Sequence, residues 1–329
     1  MSQLKKPLYK LLIIFVLMGF QLSCAGSGDT WDDDDNAIRM QLFVEDISAY
    51  ARSVKNKNGD PVNPNFIIIP QNGAELAYND TEQSEGLRTS YVDAIDGIGI
   101  EELFYFEKLD IDQERLAMLR ELKGKTKIMV SDFVSDNNNI SHALKLNHDE
   151  GFIAFPRAKD NYNYEYIPSS LIPNENANDI GSLSEAQNYL YFIGPNPDKY
   201  PTKEQMIAAI KLTNYDVVLI DLFSYENAFT EPEIQQLKTK ANNGKRLVIS
   251  YISVGSAEKY RYYWQKGWRR GSPSWIKKNY SGYPDEFWVE FWNQEWQNII
   301  YDYIDKIIDA GFDGAYLDNV EAYYFLENN

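Results

Sequence analysis

Thiols, imidazoles and basic side chains are scarce in this sequence. It has one cysteine, two histidines, and 32 Lys and Arg residues against 49 Asp and Glu residues. A single cysteine excludes a disulfide within the chain, so the fold must be stabilised by an apolar core. The formal net charge of −17 argues against a nucleic-acid partner, because binders of nucleic acid present a basic face.

Several catalytic motifs are missing as well. His142 and His148 do not have the spacing typical of a metal site, so no metal is expected. The stretch "GIGIEE" lacks the spacing of a phosphate-binding loop, and no GxSxG nucleophile motif occurs. We therefore expect no cofactor and no serine or cysteine nucleophile.

The first residues have the features of a targeting segment. Three lysines precede an apolar run of about ten residues at 11–20, which is too short to span a bilayer. The sequence "LSCAG" follows and resembles a bacterial lipobox, which predicts a signal peptide at 1–23 and lipidation of Cys24. An ordinary secretory peptide with an incidental cysteine is the alternative.

Residues 24–36, which include "AGSGDTWDDDDN", have no apolar periodicity and are predicted to be an acidic tether. A plain linker and a surface-export signal both fit this composition. Loss of residues 1–23 would remove three lysines and no acid, so the charge of −17 would become −20. We expect a monomer anchored to a membrane through Cys24, at the cell surface or on the periplasmic side of the outer membrane of a Gram-negative bacterium.

The remaining residues, 37–329, show an alternation of strand-like and helix-like patterns. Eight apolar, β-rich runs are separated by amphipathic stretches, which favours parallel strands and a single (β/α)8 TIM barrel of the α/β class. A doubly wound open sheet is the competing interpretation. The predicted strands are 66–70, 97–105, 127–134, 189–194, 216–223, 246–254, 287–292 and 314–320.

The order of these patterns predicts a circular permutation. The chain starts with a helical pattern at 38–54 that no strand precedes, and it ends with a strand that no helix follows. A closed barrel has no first strand, so the first helix can follow the last strand in space. The long irregular segment 151–187 would then be the original junction.

Acidic residues follow most of the predicted strands. In a parallel barrel the carboxyl ends of the strands meet at one mouth, and burying an unpaired carboxylate is costly. An acidic pocket that hydrolyses a glycosidic bond with two carboxylates is therefore one interpretation, and loop-facing acids of a generally acidic protein are the other.

Four motifs near the end of the chain resemble, in order, glycoside hydrolase family 114. They are "YDVVLIDLF", "VISYISVGSAEKYRYYW", "FWVEFWNQEWQNII" and "GFDGAYLDNVEAYY". The segments "FIIIPQNGAEL", "AIDGIGIEELFY" and "KIMVSDF" also resemble family segments, but here they come before the "LDN" strand rather than after it. The resemblance covers nearly all of residues 38–325 and agrees with a permuted barrel.

The resemblance implies an endo-acting glycosidase related to endo-α-1,4-polygalactosaminidases, with an amino-sugar polysaccharide as substrate. Matching motif to motif makes Asp318 the nucleophile and Glu101 the general acid/base, with Glu101 preferred to Glu102. It implies that Asp221 and Tyr251 orient sugar hydroxyls, that Asn72 makes a polar contact, and that further substrate contacts come from Asp132, Arg261, Trp264 and Glu321. For Arg261 and Trp264, helix packing is the alternative.

Two features leave the function open. Residues 268–284 form an insertion that adds Arg269, Arg270, Lys277 and Lys278, which leaves room for an acidic or neutral glycan. A non-catalytic glycan-binding lipoprotein on the same barrel would not need both Asp318 and Glu101. Retention of both acids favours the enzyme.

Overall fold

The structure is a computed structural model that describes residues 33–159, 164–169 and 171–327. The predicted signal peptide and Cys24 lie outside these residues. The helices are α1 (Asp33–Ser53), α2 (Thr89–Ala94), α3 (Gln113–Leu122), α4 (Ile140–Glu150), α5 (Lys203–Lys211), α6 (Glu231–Leu237), α7 (Gln294–Asp309) and α8 (Ala322–Glu327). The strands are β1 (Ile67–Pro70), β2 (Gly97–Leu109), β3 (Lys127–Val134), β4 (Ile153–Ala154), β5 (Tyr189–Tyr191), β6 (Val217–Asp221), β7 (Phe223–Ser224), β8 (Asn227–Ala228), β9 (Leu247–Ser253), β10 (Ser256–Glu258), β11 (Ile276–Asn279), β12 (Glu286–Val289) and β13 (Gly314–Asp318).

Three helices begin at residues whose side chains cap them. The side chain of Thr202 accepts a hydrogen bond from the backbone N–H of Gln205, and Asn293 caps α7 in the same way. Thr230 forms a capping box at the start of α6. These side chains satisfy backbone N–H groups that have no partner within the first helical turn.

The fold is a mixed α/β arrangement with two parallel sheets. One sheet has five strands in the order β1-β13-β9-β6-β5, and the other has three in the order β2-β3-β4. Every strand pair within these two sheets is parallel. The predicted α/β class with a parallel sheet is therefore confirmed.

The two sheets meet at one edge through a single parallel bridge between Gln71 and Gly99, directly after β1. At the other edges, β4 and β5 share no ladder among the described residues, but side chains meet there. The ring centroids of Phe155 and Tyr189 are 5.8 Å apart, and Tyr164 stacks on Tyr191 at 3.6 Å. Aromatic packing thus fills the space between these two strands.

One predicted strand has a different role from the one expected. Residues 287–292 are not part of a parallel sheet: β12 pairs antiparallel with β10 and β11 in a separate three-stranded sheet. The parallel strand that the sequence pattern missed is β4, which has two residues and pairs with β3. A strand this short has no detectable periodicity, whereas the continuous apolar run of β12 fits a parallel or an antiparallel sheet equally well.

Both ends of the described chain also differ from expectation. Helix α1 begins at Asp33, so the last residues of the predicted tether 24–36 are helical. The chain does not end with a strand, because α8 follows β13 and lies against α1. Burial of Ala322, Tyr323 and Leu326 gives α8 an apolar side at helical spacing.

The parallel pairing of β1 with β13 joins two segments that lie near opposite ends of the chain. It brings the carboxyl ends of β1, β13 and β9 to the same edge of the five-stranded sheet. The bridge from Gln71 to Gly99 brings the chain of β2 to the same place.

Among the described residues, none of the helices has the length and the apolar character that a membrane-spanning helix needs.

Candidate active site

The two acids predicted for catalysis lie on the two strands that flank β1, near its carboxyl end. Asp318 is the last residue of β13, and Glu101 lies in β2 just beyond the bridge between Gln71 and Gly99. The negative charge of Glu101 is close enough to contribute to the raised pKa of Asp318. The structure therefore brings the two carboxyl groups into one electrostatic site.

Asp318 is held by two hydrogen bonds. The hydroxyl of Tyr251 donates to its Oδ2 atom at 2.6 Å, and the backbone N–H of Asn319 donates to its Oδ1 atom at 2.8 Å. Burial raises the pKa of Asp318 to about 7, the hydrogen bond from Tyr251 opposes this rise, and the charge of Glu101 adds to it. Asp318 therefore changes its charge near neutral pH, which is the range required of a catalytic carboxyl group.

Glu101 is positioned by two residues from other segments. The hydroxyl of Tyr164 donates to Oε1 of Glu101, and the backbone N–H of Glu101 donates to Oδ1 of Asn72 at 3.0 Å. Burial raises the pKa of Tyr164 well above its usual value, so this phenol remains a neutral donor. Tyr164 belongs to the predicted junction 151–187, and its role could not be anticipated because no local pattern marks it.

Glu102 points to a different partner. Its Oε1 atom forms an ion pair with Nη2 of Arg157 at 2.8 Å, and both side chains are largely buried. Glu102 has a positive φ of 62°, and the pairing of β2 with β3 is irregular between Glu101 and Phe106. At this irregularity the side chains of Glu101 and Glu102 reach different partners.

Asn72 connects Glu101 to a third acid. Its Nδ2 atom donates to Oε2 of Glu321 at 3.3 Å, while its Oδ1 atom accepts from Glu101. Burial raises the pKa of Glu321 to about 8, with a further contribution from the charge of Glu75. Glu321 is therefore largely protonated at neutral pH and belongs to the same polar cluster.

Asp221 and Arg261 form a buried ion pair rather than an open wall. Nη2 of Arg261 lies 2.8 Å from Oδ2 of Asp221, and Nε lies 2.5 Å from Oε2 of Glu258. The guanidinium also donates to the hydroxyl of Tyr303 at 3.1 Å. Because Arg261 is 8% exposed, its main effect is to hold Asp221 and Glu258 in place.

Trp264 and Asp132 have structural surroundings. The Trp264 ring stacks on Phe287 of β12 with centroids 5.5 Å apart, and neither residue lies in a helix. Asp132 is 1% exposed, and its Oδ1 atom accepts from the backbone N–H groups of Phe104 and Tyr105. Asp132 thereby holds the irregular part of β2 that carries Glu101.

A network behind Asp318 was not recognised in the sequence. Asn319 has a positive φ of 62°, and its Nδ2 atom donates to Ser253 at 2.9 Å, to Ser256 at 3.0 Å and to Glu286 at 3.2 Å. A Cβ atom at Gly255 would lie 1.9 Å from the Asn319 carbonyl oxygen, so only glycine fits there. The asparagine of the "LDN" motif was the available signal, because asparagine tolerates this backbone conformation.

Glu286 is another carboxyl group of the site with a raised pKa. It accepts hydrogen bonds from the Ser256 hydroxyl and from Asn319. Burial raises its pKa to about 8, and the charges of Glu258 and Asp318 contribute in the same direction. Because the site has many acids and few cations, the ionisation of one carboxyl group makes the ionisation of the others less favourable.

No group of three or more His, Cys, Asp or Glu side chains among the described residues is arranged to hold a metal ion. His142 instead shares a hydrogen bond of 2.7 Å with the hydroxyl of Tyr105.

Comparisons with known proteins point to the glycoside hydrolases as a class. Residues 183–329 match the sequence model of glycoside-hydrolase family GH114. The family resemblance noted in the sequence motifs is thus confirmed over this part of the chain, which contains Asp318, Tyr251 and Glu286 but not Glu101. The match supports a glycosidase activity in general.

The relatives have no assigned activity in their names. Uncharacterized protein MJ1477 of Methanocaldococcus jannaschii is 36% identical over 157 residues, which are 46% of this chain and 43% of that protein. An uncharacterised protein of Deinococcus radiodurans is 35% identical over 120 residues, or 36% of this chain and 38% of the relative. One of Thermotoga maritima is 28% identical over 116 residues, or 35% and 36%. The chain spans less than half the length of each of these relatives.

Proposed function

We propose that this protein is an endo-acting glycoside hydrolase that cleaves an amino-sugar polysaccharide with Asp318 and Glu101. The observation that carries the proposal is the electrostatic contact of these two carboxyl groups, which lie on the strands that flank β1 and are each fixed by a tyrosine hydroxyl. Glycoside hydrolysis requires one ionised and one protonated carboxyl group on either side of the scissile bond. Two close carboxyl groups that share a site favour such a singly protonated state.

In the proposed mechanism, Asp318 attacks the anomeric carbon and Glu101 protonates the leaving oxygen. The glycosyl–enzyme ester is then hydrolysed by water, which gives its proton to Glu101, and Asp318 leaves as the carboxylate. The Tyr251 hydroxyl and the Asn319 N–H stabilise the carboxylate of Asp318 before attack and after its release. Neutral tyrosines suit this role because their hydroxyl groups donate without adding charge.

The proposed scaffold is a permuted (β/α)8 barrel. Its support is the parallel pairing of β1 with β13, the bridge that links the two parallel sheets, and the aromatic packing between β4 and β5. The comparisons add a second argument. If the order of the segments is permuted, an alignment that follows both sequences from start to end should stop where that order changes. The matches cover less than half of this chain and of each relative.

The test of the function is incubation of the protein with a panel of amino-sugar, neutral and acidic polysaccharides, followed by sizing of the products. We expect rapid shortening of an α-1,4-linked galactosamine polymer, because endo cleavage lowers chain length before it releases small products. Retention of a polysaccharide without cleavage would instead support the glycan-binding alternative. Cleavage only of a neutral or acidic polymer would reject the amino-sugar substrate and keep the glycosidase.

The role of Asp318 can be tested by the pH dependence of the rate. The nucleophile must be ionised and the proton donor Glu101 protonated, so we expect a bell-shaped pH dependence of kcat/KM whose acidic limb lies at a pH of about 7. Tyr251→Phe removes a hydrogen bond to the carboxylate, worth about 1.5–3 kcal/mol, and should move this acidic limb upward by about 1–2 pH units. A rate that falls as pH rises through 7 would instead make Asp318 the proton donor.

We further propose that the chain is anchored in the envelope of a Gram-negative bacterium through lipid on Cys24. The support is the "LSCAG" sequence after the apolar run. In a bacterial host that processes lipoproteins, the parent protein should enter the detergent phase, and Cys24→Ala should move it to the aqueous phase. Equal partition of the two proteins would contradict lipidation.

A further inference from the structure

Tyr260 is an exposed aromatic residue whose orientation is fixed. Three aromatic side chains are exposed in the described part of the chain, and Tyr260 at 70% is more exposed than Tyr225 at 48% and Tyr262 at 42%. Its hydroxyl donates a hydrogen bond to Oε1 of Glu258. An exposed ring that is held at its hydroxyl has already lost conformational freedom, so a ligand that packs on it meets a smaller entropic cost.

The surroundings of Tyr260 leave its ring available. The guanidinium carbon of Arg261 lies over the ring at 5.1 Å from its centroid. The ring has no aromatic neighbour among the described residues. Because the ring remains 70% exposed, much of it faces solvent. Arg261 itself is fixed by Asp221 and Glu258, so the support beneath the ring is rigid.

Tyr260 also lies next to the paired acids. Glu258, which anchors its hydroxyl, is close enough to Asp318 for its charge to affect that carboxyl group. Tyr251, which bonds Asp318, is in turn affected by the phenol of Tyr260. Tyr260 follows β9 and β10, at the same carboxyl end of the sheet as Asp318. A sugar unit packed on this ring would belong to a chain that passes the acids.

We propose that Tyr260 is a stacking platform for one glycosyl unit of the substrate, beside the Asp318–Glu101 pair. Pyranose rings present apolar C–H faces that pack on aromatic rings, while their hydroxyl groups find polar partners at the edge. The inference rests on the proposed function, since it assigns a binding role within the same site.

The chain offers a matched control in Tyr262. Its hydroxyl donates to Asp302 at 2.8 Å, so it is also a tethered, exposed tyrosine. Its ring, however, is packed against Tyr303 and Phe223, and Nζ of Lys306 lies 5.1 Å from the ring centroid. A sugar therefore finds less free ring surface at Tyr262 than at Tyr260.

The experiment is a calorimetric titration with a hexasaccharide of α-1,4-linked galactosamine, in an Asp318→Asn background that prevents turnover. We expect Tyr260→Ala to weaken binding about tenfold, Tyr260→Phe, which keeps the ring but loses its bond to Glu258, to lose less affinity than Tyr260→Ala, and Tyr262→Ala to bind like the background protein. In the cleaving protein, Tyr260→Ala should raise KM about tenfold and leave kcat nearly unchanged, because a platform binds substrate and transition state alike.

The outcomes separate this inference from the proposed function. Equal affinity of Tyr260→Ala and its background would overturn the platform while leaving the glycosidase intact. Equal losses in Tyr260→Ala and Tyr262→Ala would also overturn it, because a general disturbance of the 256–262 segment would then explain both. Failure of the background protein to bind the hexasaccharide would reject the amino-sugar substrate, and the platform for that substrate with it.

Discussion

Asp318→Asn should abolish cleavage and at the same time stabilise the protein. Loss of the nucleophile should lower kcat by at least about 10³-fold on any polysaccharide that the parent cleaves, and Glu101→Gln should have an effect of similar size on substrates with poor leaving groups. The measurement is product formation by purified variants at matched concentrations. Full activity of either variant would reject the site.

The stability effect follows from the raised pKa. Burial moves the pKa of Asp318 to about 7 from the usual 3.8, so the unfolded chain loses this proton at a lower pH than the folded protein. Between these two values the folded state binds more protons than the unfolded state, and stability falls as pH rises. At pH 8 the buried charge should cost on the order of 2–4 kcal/mol, which Asp318→Asn would recover.

The checking measurement is urea unfolding of both proteins at pH 5 and at pH 8. The advantage of Asp318→Asn should be smaller at pH 5 than at pH 8, because pH 5 lies nearer to the pKa of the unfolded chain. A variant that is less stable than the parent at both values would mean that the hydrogen bonds from Tyr251 and Asn319 outweigh the burial of the charge. A gain in stability with a loss of activity is the pattern expected of a residue retained for chemistry.

The sequence was most informative where one local pattern determines the structure. Helix starts at Thr202, Thr230 and Asn293 follow from a single side chain that bonds a nearby backbone N–H. Asp318 was recognisable because an acid at the end of a buried apolar strand has few structural explanations. These features depend on residues within a few positions of one another.

The features that were missed depend on residues far apart in the chain. Tyr164 reaches Glu101 across 63 positions, and Asn319 contacts Ser253 across 66. Strand β4 was missed because two residues carry no period, and 287–292 was misassigned because an apolar run does not reveal which strand will be its partner. Tertiary pairing, rather than local preference, decided each of these cases.

Lys240 is another residue whose partners lie far from it in the sequence, and we expect its substitution to destabilise the fold. Its Nζ atom lies 2.6 Å from Oδ1 of Asp216, and both side chains are 0% exposed. Asp216 precedes β6, and its Oδ2 atom accepts from the backbone N–H of Gln187 and from Nδ2 of Asn176. Lys240 also donates to Oδ1 of Asn176 at 3.2 Å. One buried cation thus joins the long connection before β5 to the sheet.

Lys240→Met should lower the free energy of unfolding by about 3–5 kcal/mol, because it leaves the carboxylate of Asp216 buried without its cation. The measurement is urea unfolding, with a lower midpoint at an unchanged slope. Lys259→Met is the matched control: its pair with Asp285 is 40% and 66% exposed, and its loss should cost about 1 kcal/mol or less.

A second variant separates the loss of charge balance from the loss of packing. Lys240→Met combined with Asp216→Asn removes the unpaired charge but keeps an acceptor for Gln187, so it should recover much of the lost stability. If the double variant is as unstable as Lys240→Met, the cost lies in the shape of the lysine side chain and not in its charge. If Lys240→Met and Lys259→Met are equally mild, the buried pair does not hold the connection to β6, and the pairing of β5 with β6 and the hydrogen bond from Asp216 to Asn188 are sufficient for it.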